Sequence, residues 1–159
     1  MTPRGETPGA PALLSGSALT VFRLNGQFLA LAEGLARPAG LTAAWWQVLG
    51  AVLDEPLPAA GIARAMGITR QSVQRVADLL VERELAEYRP NPAHRRAKLL
   101  APTAAGRAAV RRIGPRHAEA ADHLAEAVGG ADRLAEILEA LTELSDAVRQ
   151  LPAPRDPED

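Results

Sequence analysis

Residues 57 to 101 constrain the fold more than any other part of the chain, because they predict four elements in direct succession. These are a short helix, a tight turn, a longer helix and a basic hairpin. The short helix covers residues 59 to 66, Gly67 ends it and Ile68 is expected to fill the turn. Thr69 then stands where the next helix needs an oxygen to cap its free amide groups. This order is typical of a helix-turn-helix.

The longer helix has two chemically different faces. Apolar side chains recur at the i, i+3, i+4, i+7 and i+8 spacing of one buried stripe, and they are Val73, Val76, Ala77, Leu80 and Val81. The opposite face carries Arg70, Gln71, Gln74 and Arg75. Arg and Gln can form paired hydrogen bonds with guanine and adenine edges, and a helix fits the major groove of DNA. We therefore expect these four side chains to contact bases and nearby phosphates, with Thr69 and Ser72 anchoring phosphates.

A basic hairpin follows this helix. Two short strands are predicted at residues 85 to 89 and 97 to 101, and the link between them contains two prolines and an Asn, which favour a turn. Arg95 and Arg96 lie in this link. Consecutive arginines held away from the body on a two-stranded ribbon suit insertion into a minor groove or a clamp on phosphates. The alternative is a charged surface hairpin with no ligand.

Charge is distributed unevenly along the chain, although the net charge is only −1. Residues 64 to 116 hold twelve Arg or Lys against four acids, whereas residues 117 to 159 hold three Arg against eleven acids. Phosphate binding depends on the local field more than on the total charge. The uneven distribution therefore favours a nucleic-acid-binding surface in the first of these segments, the alternative being a solvated charged surface.

Composition narrows the class of protein. At 159 residues and 47% hydrophobic content, the chain can form one globular core, and the scarcity of aromatic residues beside abundant Ala and Leu favours helices. The absence of Cys excludes disulfides and thiolate metal sites. No run of about 18 apolar residues and no signal-peptide pattern is present, so we expect a cytoplasmic protein without membrane contact.

The flanking segments complete the predicted organisation. Residues 1 to 16 are expected to form a flexible tail and residues 152 to 159 a polar tail. Residues 17 to 150 are expected to form one domain, in which 42 to 101 is the DNA-binding lobe and 17 to 36 and 103 to 151 are helices. The last helix has a coiled-coil-like spacing, formed by Ile137, Leu141, Leu144, Val148 and Leu151. That stripe could pack within its own protomer or against a second copy.

The chain resembles the MarR-type winged-helix transcriptional regulators over about residues 17 to 150. The resemblance is most specific at residues 89 to 106, which read RPNPAHRRAKLLAPTAAG. Members of that family usually have Asp-x-Arg in the wing and then Leu-Thr-x-x-Gly at the next helix. Here the wing reads His94-Arg95-Arg96 and the helix opening reads Pro102 to Gly106. Arg96 thus takes the place of the minor-groove arginine, while His94 and Pro102 replace the usual Asp and Leu.

The resemblance implies a mainly α winged helix-turn-helix with a two-stranded wing, dimerised through its first and last two helices. It implies a homodimeric repressor that binds palindromic double-stranded DNA and is released by a small aromatic or phenolic ligand. A ligand site between the dimer helices and the DNA-binding lobe would include the aromatic residues Phe22, Phe28, Trp45 and Trp46. Packing in the core is the alternative role for each of these four residues.

Other functions have less support from the residues. A winged-helix module that binds partner proteins without binding specific DNA is the main alternative, and the His94 substitution is its best support. An enzyme is not expected, because no phosphate loop, nucleophile motif or apolar carboxylate pair is present. His117 and His123 are six residues apart, a spacing that does not place two metal ligands on one helix face. We expect no cofactor and no metal.

Overall fold

The computed structural model describes residues 7 to 152. Its helices are α1 (Ala10–Ala36), α2 (Ala43–Ala51), α3 (Ala59–Met66), α4 (Arg70–Glu82), α5 (Ala104–Val128) and α6 (Ala131–Arg149), with a 3-10 turn at Arg37–Ala39. Its strands are β1 (Leu57–Pro58), β2 (Ala86–Arg89) and β3 (Leu99–Pro102). The mainly α winged helix-turn-helix predicted from the sequence is therefore confirmed.

The chain divides after Gly114 into two compact units. In the first unit, α2, α3 and α4 enclose the core together with β3 and the start of α5. The largest fully buried side chains there are Leu49, Ile62, Leu80, Leu100, Ile113, Val48, Val52 and Val73. The second unit contains the rest of α5, a turn at Gly129 and Gly130, and α6. Both glycines have positive φ, at 103° and 115°, which explains why glycine occupies this turn.

The three strands form a small antiparallel sheet in the order β1-β3-β2. Leu57 pairs with Leu100, and Tyr88 pairs with Leu100 from the other side. The sequence predicted only the two strands of the wing, because the prolines beside Leu57 indicated a break. Proline is tolerated here since β1 is an edge strand.

α1 begins seven residues earlier than predicted. The flexible tail expected at residues 1 to 16 is wrong for residues 10 to 16, which are helical, while residues 1 to 6 lie outside the described part of the chain. Pro11 stands in the first turn of α1, where its missing N–H costs no hydrogen bond. The polar tail predicted at 152 to 159 lies outside the described residues except for Pro152.

Two hydrogen bonds cap α2 and join it to α1. The Thr42 hydroxyl accepts from the Trp45 N–H at 3.1 Å, as the sequence predicted for a capping residue. The Glu33 carboxylate on α1 accepts from the Ala43 N–H at 2.8 Å. A negative charge at a helix N-terminus is favourable, since the free N–H groups there carry partial positive charge. Glu33 therefore fixes α1 against the start of α2.

Candidate nucleic-acid interface

The turn between α3 and α4 has the predicted geometry at two of its three residues. Gly67 ends α3 with φ at 65°. The Thr69 hydroxyl accepts from the Ser72 N–H at 3.1 Å and donates to the Ser72 hydroxyl at 2.8 Å, so Thr69 caps α4. Ile68 does not fill the turn as predicted, because 43% of its surface is exposed. Ile62 and Ala63 of α3, by contrast, are buried in the core.

The two faces of α4 are separated as the sequence predicted. Val73, Ala77 and Leu80 are buried, and Val76 and Val81 pack against the core from its edge. Since successive helix residues are about 100° apart, Gln71 and Arg75 point away from that core. Arg70 and Gln74 lie on the flank that faces the wing. All four polar residues are exposed.

Most of these polar side chains are free to meet a ligand. Within residues 7 to 152, no hydrogen bond or ion pair forms at the side chains of Arg70, Gln71, Arg75, Arg95 and Arg96. Uncompensated guanidinium groups on an exposed face form strong, charge-assisted bonds with phosphate oxygens. This surface can therefore bind phosphate groups.

Gln74 differs from its neighbours on α4. Its amide nitrogen donates to Asp78 Oδ1 at 3.0 Å and to the Tyr88 hydroxyl at 2.7 Å. The Tyr88 hydroxyl donates in turn to the same oxygen of Asp78. Burial, and then the Asp78 carboxylate, raise the pKa of Tyr88 to about 12. Gln74, Asp78 and Tyr88 thus form one connected cluster, called here the α4–wing cluster.

The wing is formed by β2, β3 and the segment between them. The Asn91 side chain accepts from the Ala93 N–H at 3.0 Å, and the His94 carbonyl accepts from the Ala97 N–H at 3.0 Å. These bonds make two successive turns and place Arg95 and Arg96 on the exposed side of the second. Arg89 at the base of the wing pairs with Glu87 at 2.6 Å, so its charge is partly compensated.

A cavity of about 360 Å³ lies between α4 and the wing. Arg70 from the start of α4, with Arg96 and Lys98 from the wing, contributes cationic side chains to its lining, and Asp78 contributes a carboxylate. The structure therefore brings two predicted contact residues of the helix, Arg70 and Gln74, and one of the wing, Arg96, to the same cleft. A second cavity, of about 430 Å³, lies on the wing beside Arg89, Arg95 and Lys98.

Two arginines in the basic segment have a structural role instead. Arg107 donates to the Leu53 carbonyl at 2.9 Å, and Arg112 donates to the Ala39 carbonyl at 3.1 Å. The two bonds join α5 to Leu53, which follows α2, and to Ala39, which precedes it. The excess of positive charge counted from the sequence therefore overstates the number of cations available to phosphates.

The four aromatic residues of the predicted ligand site lie on α1 and α2. Phe22 and Phe28 are 71% and 48% exposed on α1, and residues six apart on a helix point about 120° apart. Trp45 and Trp46 are half-buried and pack against the core, and Arg83 lies 5.5 Å from the ring centroid of Trp45. None of the four lines either of the two cavities.

Sequence reasoning missed Tyr88 and Asp78 as residues of this site. The four-residue spacing of Gln74 and Asp78 on one helix face was the available signal. The contact with Tyr88, fourteen positions from Gln74, depends on how the wing packs against α4.

Among the described residues, no group of three or more acidic or His side chains is arranged to hold a metal ion. Within the same residues, no helix is long and apolar enough to cross a bilayer.

The fold and this surface define a winged helix-turn-helix protein. The model of the MarR family matches residues 39–97. Protein Rv2011c of Mycobacterium tuberculosis is 44% identical over 108 residues, which cover 68% of this chain and 76% of that protein. The chain belongs to the MarR family of transcription regulators.

Solved structures agree with this assignment. Sco5413, a MarR family transcriptional regulator from Streptomyces coelicolor, has a TM-score of 0.70 and 26% identity, covering 90% of this chain and 99% of that chain. BpsR from Bordetella bronchiseptica has a TM-score of 0.68 and 25% identity, covering 82% of this chain and 98% of that chain. The DNA binding of BpsR is regulated by 6-hydroxynicotinic acid.

Proposed function

We propose that this protein is a homodimeric repressor that binds palindromic operator DNA through α4 and the wing. The observation that carries the proposal is the exposed surface of α4, where Arg70, Gln71 and Arg75 are free beside a wing that presents Arg95 and Arg96. α4 would enter the major groove with its N-terminal half, which Thr69 caps. The wing would reach the adjacent minor groove, and Thr69 and Ser72 would contact the backbone.

Uncovered apolar faces support the dimer. Along α1, large apolar side chains are exposed, among them Leu13, Leu14, Leu19 and Phe22. α6 contributes no buried residue, and Leu138, Leu141, Leu144 and Val148 are exposed on it. Apolar surface of this extent is unfavourable in water, since each Å² costs about 25 cal/mol. A second copy of the chain would cover both faces and present two copies of α4 to a two-fold symmetric site.

Release by a small aromatic ligand is the regulatory part of the proposal. The regulation of BpsR by 6-hydroxynicotinic acid in a similar fold supports it. Phe22, Phe28, Trp45 and Trp46 remain the proposed contacts. Trp45 and Trp46 are the two tryptophans of the chain, so their fluorescence would report binding. A screen of aromatic carboxylates that finds no saturable quenching would contradict this part.

The proposal is tested by fluorescence anisotropy with labelled DNA from upstream of the gene, against scrambled DNA, over a salt series. We expect tight binding that prefers the upstream DNA and weakens steeply with salt. Arg96→Ala should reduce affinity and flatten the salt dependence by roughly one phosphate contact, and Arg75→Ala should reduce affinity and weaken the preference for the upstream DNA. Equal and weak binding to both DNAs would contradict the proposal and favour an interaction module.

Arg112→Gln is the matched control for these variants. It removes one positive charge from the same basic segment, but Arg112 bonds the Ala39 carbonyl and lies outside the proposed interface. We expect its salt dependence to equal that of the wild type. A loss as large as that of Arg75→Ala would mean that total charge, and not the α4 surface, determines binding.

A further inference from the structure

The α4–wing cluster restricts what Gln74 can offer to DNA. A carboxamide has two N–H donors, and those of Gln74 are directed to Asp78 and Tyr88. Paired recognition of adenine needs one N–H and one oxygen from the same carboxamide. While both bonds hold, only the oxygen of Gln74 is available. The base contact that the sequence predicted for Gln74 as one of four polar residues of α4 is therefore limited to that oxygen while the cluster holds.

The cluster also connects α4 to both strands of the wing. Tyr88 lies on β2 and pairs with Leu100 on β3. The Lys98 ammonium lies 5.6 Å from the centroid of the Tyr88 ring, a cation–π distance. Arg96 is two residues before Lys98, and both line the cleft that the cluster borders. A displacement of Tyr88 from α4 would therefore move the base of the segment that carries Arg96.

We propose that Gln74, Asp78 and Tyr88 are positioning residues that hold the wing in register with α4, so that Arg96 and the α4 side chains meet adjacent grooves together. This inference rests on the proposed DNA binding. Base reading then falls to Gln71 and Arg75, which point away from the core, and to Arg70 on the flank. The cluster sets the distance between the two reading elements and acts on DNA through Arg96.

Two substitutions at Asp78 separate the effect of its hydrogen bonds on DNA binding from the effect of its negative charge. Asp78→Asn and Asp78→Ala both remove the negative charge, but only Asn retains an oxygen that accepts from Gln74 and Tyr88. We expect the Asn variant to bind the preferred DNA about fivefold or more tightly than the Ala variant, the factor expected for one or two lost hydrogen bonds. Circular dichroism and thermal melting would show that both variants are folded.

A double-mutant cycle tests the route through the wing. Tyr88→Phe removes the hydroxyl and keeps the ring beside Lys98. If the cluster acts by placing Arg96, Tyr88→Phe should weaken binding in the wild-type background and change it little in the Arg96→Ala background. A residue that matters only for stability would give the same fold-change in both backgrounds.

The outcomes separate this inference from the proposed function. Absence of preference for the upstream DNA in the wild type would overturn the proposed function, and the inference with it. Specific binding by the wild type, with equal affinities for the two Asp78 variants or with additive effects in the cycle, would overturn the inference alone. If Asp78→Ala fails to fold, the double-mutant cycle with Tyr88→Phe and Arg96→Ala alone tests whether the cluster positions Arg96.

Discussion

A Cβ atom placed on Gly106 would lie 2.0 Å from the carbonyl oxygen of Leu85. That oxygen is fixed, because it accepts from the Thr103 N–H at 3.1 Å. Thr103 also donates its hydroxyl to the Glu84 carbonyl at 2.6 Å and accepts from the Gly106 N–H at 3.1 Å. The Thr-x-x-Gly spacing at 103 to 106 is thus a packing requirement that joins α5 to the end of α4.

Gly106→Ala should lower the free energy of unfolding by about 2 kcal/mol or more, because a backbone segment must move to admit the methyl group. Urea denaturation followed by circular dichroism measures this. Gly50→Ala is the matched control, since no atom lies within 4 Å of its added Cβ, and it should raise stability by roughly 0.5 to 1 kcal/mol. Equal effects of the two substitutions would show that the Leu85 contact does not limit residue 106.

Glu33→Ala should destabilise the protein by about 1 kcal/mol, because the Ala43 N–H loses its carboxylate partner while the Thr42 cap remains. Glu33→Gln keeps an oxygen acceptor and should lose less. The comparison is made by thermal unfolding monitored through tryptophan fluorescence. Indistinguishable melting curves for the Glu33→Ala variant and the wild-type protein would exclude a capping role for Glu33.

Tyr88 is the single tyrosine of the chain, so the ultraviolet absorbance of its phenolate reports the α4–wing cluster. Its folded pKa of about 12 exceeds the ordinary tyrosine value of 10.0, so folding favours the protonated phenol. That contribution to stability is complete below pH 10 and is lost as the pH rises toward 12.

In a titration with circular dichroism as the check on folding, we expect the phenolate to appear near pH 12. Asp78→Ala should lower the midpoint only in part, because burial is the larger cause of the shift. An ordinary midpoint near 10 in the folded wild-type protein would show that Tyr88 is neither buried nor bonded to Asp78.

Leu141→Glu should disrupt the proposed dimer, because it places a charge within the exposed apolar stripe of α6. We expect a monomer by light scattering and a loss of affinity for operator DNA. Ala135→Glu adds the same charge on the opposite side of α6, about 160° from Ile137, and should remain dimeric. A Leu141→Glu protein that is still a dimer would exclude this stripe from the interface.

Local rules were sufficient to predict the helix-turn-helix from the sequence. The cap at Thr69, the left-handed Gly67 and the buried stripe of α4 depend on residues within one or two turns of each other, and all three are confirmed. The wing was predicted from the prolines and the Asn between its two strands. The start of α1 was placed too late, because residues 1 to 16 are rich in Pro, Gly and Ala and show no sustained apolar period.

Features that depend on tertiary packing could not be read from the chain. β1 is a strand only because β3 pairs with it, and Tyr88 meets Gln74 only because the wing packs beside α4. Ile68 is apolar and was expected to fill the turn between α3 and α4, but 43% of its surface remains exposed. The charge count likewise could not separate Arg107 and Arg112, which bond backbone carbonyls, from the free arginines of α4.

Selection of bound sequences from a random duplex pool tests the central claim most directly, because the operator sequence does not have to be chosen in advance. We predict enrichment of a two-fold symmetric motif whose half-sites are separated by about one helical turn, since a dimer would present two copies of α4. Arg75→Ala should weaken or relax that motif. Recovery of a pool without any enriched motif, by a wild-type protein that is folded and dimeric, would contradict the assignment of α4 as a sequence-reading helix.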